Sequence, residues 1–173
     1  MRLEGVLVSG VAAVLVSTLC LAADAPEVPI PAAPGAAGSV IARGKTITIG
    51  HVQAIAIPDP TFPGRDRVVL FLSDRPLVIP PSAWETPGSV EFEGILLAVS
   101  ENGKVSFLRV KQGDLDFGFS GQKMDAFEWA DGVVKGQETD YGDNEGDRIS
   151  YGVAFNAPVA KAPATKKAPP KKR

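Results

Sequence analysis

The sequence predicts an all-β domain, an antiparallel sandwich or barrel of about eight or nine strands with irregular N- and C-terminal flanks. Three observations predict it. Apolar and polar residues alternate at period two in several stretches, the mark of half-buried strands. Other stretches are short continuous apolar runs, the mark of strands covered on both faces. Turn signals separate them at short intervals, and helical periodicity is almost absent.

The elements follow in chain order. Strands are expected at about 39–43, 45–57, 67–73, 89–99, 104–112, 114–120, 123–129, 133–140 and 148–156. "KTITI" sets Ile47 and Ile49 on one face and Thr46 and Thr48 on the other. Gly50 marks a bend in the long second strand. Without a bulge, His51 shares the face of Ile47 and Ile49; a bulge at Gly50 would reverse it. "RVVLFLSD" and "GILLAVS" are the continuous runs and read as central strands. "DLDFGFS" and "SYGVAFN" alternate cleanly. Asn102-Gly103 is the strongest hairpin signal, Asp131-Gly132 is similar, and "ARGK" and "GDNEG" supply further turns. Two longer stretches, 58–66 and 76–89, are rich in proline. The second has room for one short helical turn after Pro81 and no more.

The flanks differ from this body. Residues 1–23 read as a secretory signal, with Arg2 ahead of an uncharged apolar stretch and small residues at "CLAADA". Cleavage after Ala22 or Ala23 competes with retention as an anchor, since the stretch approaches the roughly 20 residues that span a bilayer. Cys20 is the single cysteine and lies inside this segment. A cleaved chain therefore has no disulfide, thiolate nucleophile or cysteine-held metal. Residues 24–38 read as a Pro/Ala/Gly-rich linker, 39–157 as the β domain, and 158–173 as a disordered cationic tail. The tail carries a charge of +6 from Lys161, Lys166, Lys167, Lys171, Lys172 and Arg173, and the body carries −6. The net charge of −2 conceals two opposed parts.

The succession "HVQAIAIPDP", "LFLSDRPL", "NGKV" and a closing "YGVAFNAPV" resembles a group of small exported bacterial proteins of uncharacterised function, over most of the body. The resemblance implies export, to the periplasm or the cell exterior, and an all-β domain. It brings no catalytic residue.

Candidate chemistry is sparse. His51 is the only histidine. As a base it needs an orienting acid and a nucleophile, and no serine sits in a Gly-x-Ser-x-Gly elbow. Asp74 and Arg75 close an apolar strand ahead of Pro76. They read either as a ligand clamp or as a strand-end turn. Glu138, Asp140, Asp143, Glu145 and Asp147 crowd one stretch, but Arg148 stands where an EF-hand starting at Asp143 needs its glycine, so a solvated acidic hairpin loop is expected. Glu91 and Glu93 offer a carboxylate pair on one strand face. Trp84, in a Pro-bounded loop, is the aromatic best placed for exposure.

No catalytic residue, metal or cofactor is expected from this inventory. The expected function is an exported, non-enzymatic binding domain of the bacterial cell envelope. Its ligand-binding residues would be Asp74, Arg75, Trp84 and His51. Its cationic tail would meet an anionic lipid or cell-wall polymer, or another envelope component or protein partner; specific nucleic-acid recognition is not expected. The alternatives are an inhibitor or immunity-type protein acting through its Pro-rich loops, and a carboxylate-dependent hydrolase.

Overall fold

A computed structural model describes residues 28–113, 115–144 and 147–161. Its ten strands are β1 (Gly35–Ala42), β2 (Lys45–Ile49), β3 (His51–Pro58), β4 (Asp66–Ser73), β5 (Gly94–Ser100), β6 (Val105–Gln112), β7 (Leu115–Phe119), β8 (Ala126–Ala130), β9 (Val133–Asn144) and β10 (Asp147–Lys161). The all-β expectation holds. The expected strand at 45–57 is two strands, divided at Gly50, which brings nine to ten. Two tight hairpins are built as two-residue turns need. Arg43-Gly44 and Asp131-Gly132 both take positive φ, as the right-handed twist of the flanking strands requires.

The strands form one mixed sheet that does not close. It folds into two layers: β2-β1-β10-β9-β8 faces β3-β4-β5-β6-β7. Neighbours are antiparallel except at one joint, where Val159–Lys161 of β10 run parallel to Ala54–Ala56 of β3. At the opposite edge a backbone seam ties the layers. The Val105 N–H donates to the Gln122 carbonyl at 2.9 Å, Gly121 N–H to Val105 at 3.0 Å and Met124 N–H to Gly103 at 3.1 Å.

β10 is the spine of the fold. It pairs with β9 along residues 147–158, with β1 along 149–156, and with β3 beyond. Both flanks of the body are therefore strand. β1 starts at Gly35, within the expected linker, and β10 runs to Lys161, within the expected tail. Gly38 shows why this stretch of β1 is built of small residues. Its φ is +132°, and a Cβ there would lie 2.1 Å from the Gly152 carbonyl oxygen.

The strands β3, β4 and β5 of the second layer are apolar on both faces. Val68, Leu70 and Leu72 of β4 join Ile95, Leu97, Leu108, Val110, Tyr151 and Phe155 in the core between the layers. Val69 and Phe71, with Ile55, Ile57, Leu96 and Ala98, face away from it into a second core. What covers that second face is the Pro-rich segment 76–93. Leu77, Ile79, Ala83, Trp84, Val90 and Phe92 pack onto it, and the Phe92 ring meets Phe71 edge-on at 5.7 Å. The expected helical turn is present as a 3-10 turn at Pro81–Trp84, and a second follows at Pro87–Ser89. β5 consequently starts at Gly94, five residues later than expected.

Candidate functional site

The residues singled out by type gather at one end of β3 and β4 but form no working group. His51 pairs with Ser73, and Asp74 and Arg75 follow directly. All three are exposed. The Ser73 hydroxyl is buried and donates to the Arg75 carbonyl at 2.7 Å, while the Gly50 N–H donates to the Ser73 carbonyl at 3.1 Å. This is a strand-end turn braced by serine. Among the described residues His51 makes no hydrogen bond to Asp74, so the imidazole lacks the orienting acid that a general base needs.

The face of His51 is set at Gly50. Ile47 and Ile49 enter the inter-layer core, whereas the odd-numbered residues Ile55 and Ile57 of β3 enter the second core. The register reverses between the strands, and His51 falls on the side away from Ile47 and Ile49. Trp84 is half-buried against the second core and serves as part of its cover, which corrects the expectation of an exposed ring. Glu91 and Glu93 are exposed and precede β5, so the strand-face pair expected there is not formed.

The acidic stretch holds the main surprise. Glu138 is not in a solvated loop. It lies on β9, 3 % exposed, opposite Val153 of β10. Its Oε2 accepts the Asp125 N–H at 3.2 Å, and Asp125 Oδ2 accepts the Thr139 N–H at 3.0 Å. Glu138 thus holds the backbone of Asp125, and Asp125 holds that of Thr139, the residue next to Glu138, across the start of β8. Burial pushes the Glu138 carboxyl up to about 7; the Asp125 N–H and Gln122 side chain oppose this, and the Asp125 and Asp140 charges add to it. Tyr151, fully buried on β10, has its phenol pushed up by burial and by Glu138 nearby.

Other buried polar side chains bind backbone. Asp59 accepts the Thr61 N–H at 2.8 Å and the Ser100 hydroxyl at 3.0 Å, which fastens loop 59–65 to the end of β5. Burial pushes its carboxyl up, but these donors, the Phe62 N–H and the Arg67 charge outweigh that and hold it below the usual range. Lys111 is buried beneath the 76–93 cover, donating to the Val90 carbonyl at 2.6 Å with its ammonium 5.5 Å from the Phe92 ring. Gln53 donates to the Leu77 carbonyl from the other side. Sequence reasoning passed over Lys111 and Asn156 and set Glu138 in a solvated loop, because alternation alone does not say which polar positions find a backbone partner.

Open clefts lie among the described residues as well. One, of about 290 Å³, is lined by Arg43, Lys45, Thr46, Ile47, Glu93, Gln112 and Gly113. Another, of about 340 Å³, is lined by Glu128, Ala130, Asp131, Val133, Lys135 and Asn156. Both mix charges of either sign at a solvated surface, which suits weak polar contacts. None of His51, Asp74, Arg75 or Trp84 lines either. Among the described residues no group of three or more His, Cys, Asp or Glu side chains is arranged to hold a metal ion.

Of the tail cations, Lys161 is exposed at the end of β10. Lys166, Lys167, Lys171, Lys172 and Arg173 lie outside the described residues, as does the expected signal at 1–23. No family model, no curated protein and no solved structure matches the chain.

Proposed function

We propose that this chain is an exported, non-enzymatic binding domain of the bacterial cell envelope, held at anionic surfaces by its cationic C-terminal segment. One observation supports the reading above the rest. Both flanking segments join the domain at the same end of β10. Gly35 at the start of β1 pairs with Asn156, whose side-chain amide donates to the Pro31 and Ala32 carbonyls at 3.1 and 3.2 Å. Lys161 lies five residues further along the same strand. An N-terminal segment retained as an anchor and a cationic C-terminal one, attached at one end, would meet one surface together.

Each basic residue near an anionic membrane is worth about 1 kcal/mol at modest salt.

The test is co-sedimentation of the exported protein with vesicles containing phosphatidylglycerol, in parallel with a chain ending at Lys161. The full chain should bind at least about 100-fold more tightly at low salt, and lose that advantage as salt rises. Equal binding by both chains would remove the tether from the account. The inhibitor alternative draws on Phe62 in loop 59–65 and on Val78, 93 % exposed in the 76–93 cover. It predicts a stoichiometric enzyme complex that survives loss of the tail.

A further inference from the structure

The seam that joins the layers at the β8 edge is held on one side by backbone and on the other by an acid. Residues 121–124 are fixed to β6 and the turn before it by the three backbone hydrogen bonds of Gly121, Val105 and Met124. Toward β9 the same segment is fixed by the Asp125–Glu138 clasp, with donors at 3.2 and 3.0 Å. β8, which follows, pairs only with β9 among the described strands, over five residues. It is a short edge strand, the kind of element that opens at low cost.

Two donors facing Glu138, the Asp125 N–H and the Gln122 amide, favour its charged form, but they do not offset its burial and the neighbouring carboxylates. Asp125 faces it from the segment before β8, Asp140 from its own strand and Tyr151 from β10, with the Gln122 amide beside them. Among the described residues no lysine or arginine ion-pairs with it. An ionised Glu138 would set a third negative charge near two carboxylates, nearly out of reach of water. A buried charge beside like charges is costly even though Asp125 is exposed and Asp140 half-buried, and the relief open to Glu138 is to move apart from them and admit water. The element free to move is the segment 121–125 with the edge strand it leads into.

We propose that the Glu138–Asp125 clasp is a pH-sensitive latch on the seam between the two layers, closed when Glu138 carries its proton and loosened when it does not. The position of the Glu138 titration, near neutrality, supports this reading. The latch is independent of how the domain meets a surface, since it lies on β9 and not at the end where the flanking segments attach.

Native-state hydrogen exchange at pH 5.5 and pH 8.0, corrected for intrinsic rates, tests it. In the wild-type chain, protection of the Asp125 and Thr139 amides and of β8 should fall at least about tenfold at the higher pH. In Glu138→Gln, which keeps the shape and cannot ionise, protection should be the same at both. Asp125→Asn retains an acceptor for the Thr139 N–H and removes one like charge, so its fall should be smaller than wild type. A wild-type protection independent of pH would overturn the latch, as would an equal fall in Glu138→Gln.

Discussion

The two ends of β10 gather different neighbours. Toward Lys161 the strand gathers both flanking segments, the Asn156 amide that holds residues 31–32, and the attachment point of a basic segment. Toward Asp147 it pairs with β9, where the Tyr141 ring is 81 % exposed. Between them lies the dry core of Ile149, Tyr151, Val153 and Phe155. The proposed tether acts from one end of this strand, so it should give the domain a preferred orientation beside an anionic surface.

The largest test of this spine is Phe155→Ala. The ring is fully buried where the layers meet. Its loss should cost about 3–5 kcal/mol in denaturant unfolding and weaken both ends together. An effect below about 1 kcal/mol would mean that β10 does not carry the core.

Next comes the pH dependence at the hairpin side. Glu138 titrates near 7 in the folded chain and near 4.5 when unfolded. The folded state therefore holds more protons between those values, and stability falls as pH rises through that window. The contribution is whole below about 4.5 and spent above about 7, a difference of about 3 kcal/mol. Urea midpoints from pH 4 to 8 should show the decline in the wild type and lack it in Glu138→Gln, which should be the more stable protein at pH 8.

Smaller effects separate the ends. Asn156→Ala deletes the two hydrogen bonds to residues 31–32 and should cost about 1 kcal/mol, with faster amide exchange confined to the flanking-segment end. Tyr141→Ser removes an exposed ring at the hairpin end. It should change stability by less than about 0.5 kcal/mol and leave affinity for anionic vesicles unaltered.

Much of this fold was legible in the sequence because its strands obey simple rules. Alternation identified the inward residues of β2 and β10, and the unbroken runs of β4 and β5 identified a layer covered twice. The Pro-rich segment was recognised as irregular, but not as the cover of that second face, since nothing local says where a loop will lie. The strand ends at 35–38 and 158–161 were hidden by composition. Glycine, alanine and proline are poor strand formers alone, and become strand here because β10 offers β1 a close partner and β3 offers β10 one. The site residues were harder. His51, Asp74 and Arg75 were chosen for their chemistry, yet their exposure depends on the reversal at Gly50 and on a serine that braces the turn. Glu138 stood among acids that suit a solvated loop, and only the register with Val153 takes it inside.

Orientation at a surface tests the central claim most directly. A single cysteine-linked fluorophore, in a chain that starts at Asp24 and so lacks Cys20, is placed at Ala160 or at Tyr141. The second position lies about 33 Å from the first, measured along β10 to Ser150, its register partner. Quenching by spin-labelled lipid in phosphatidylglycerol vesicles should be strong at position 160 and weak at 141, and should vanish at both in high salt. Equal quenching at the two positions, or stronger quenching at 141, would contradict a domain held by the end from which its flanking segments leave.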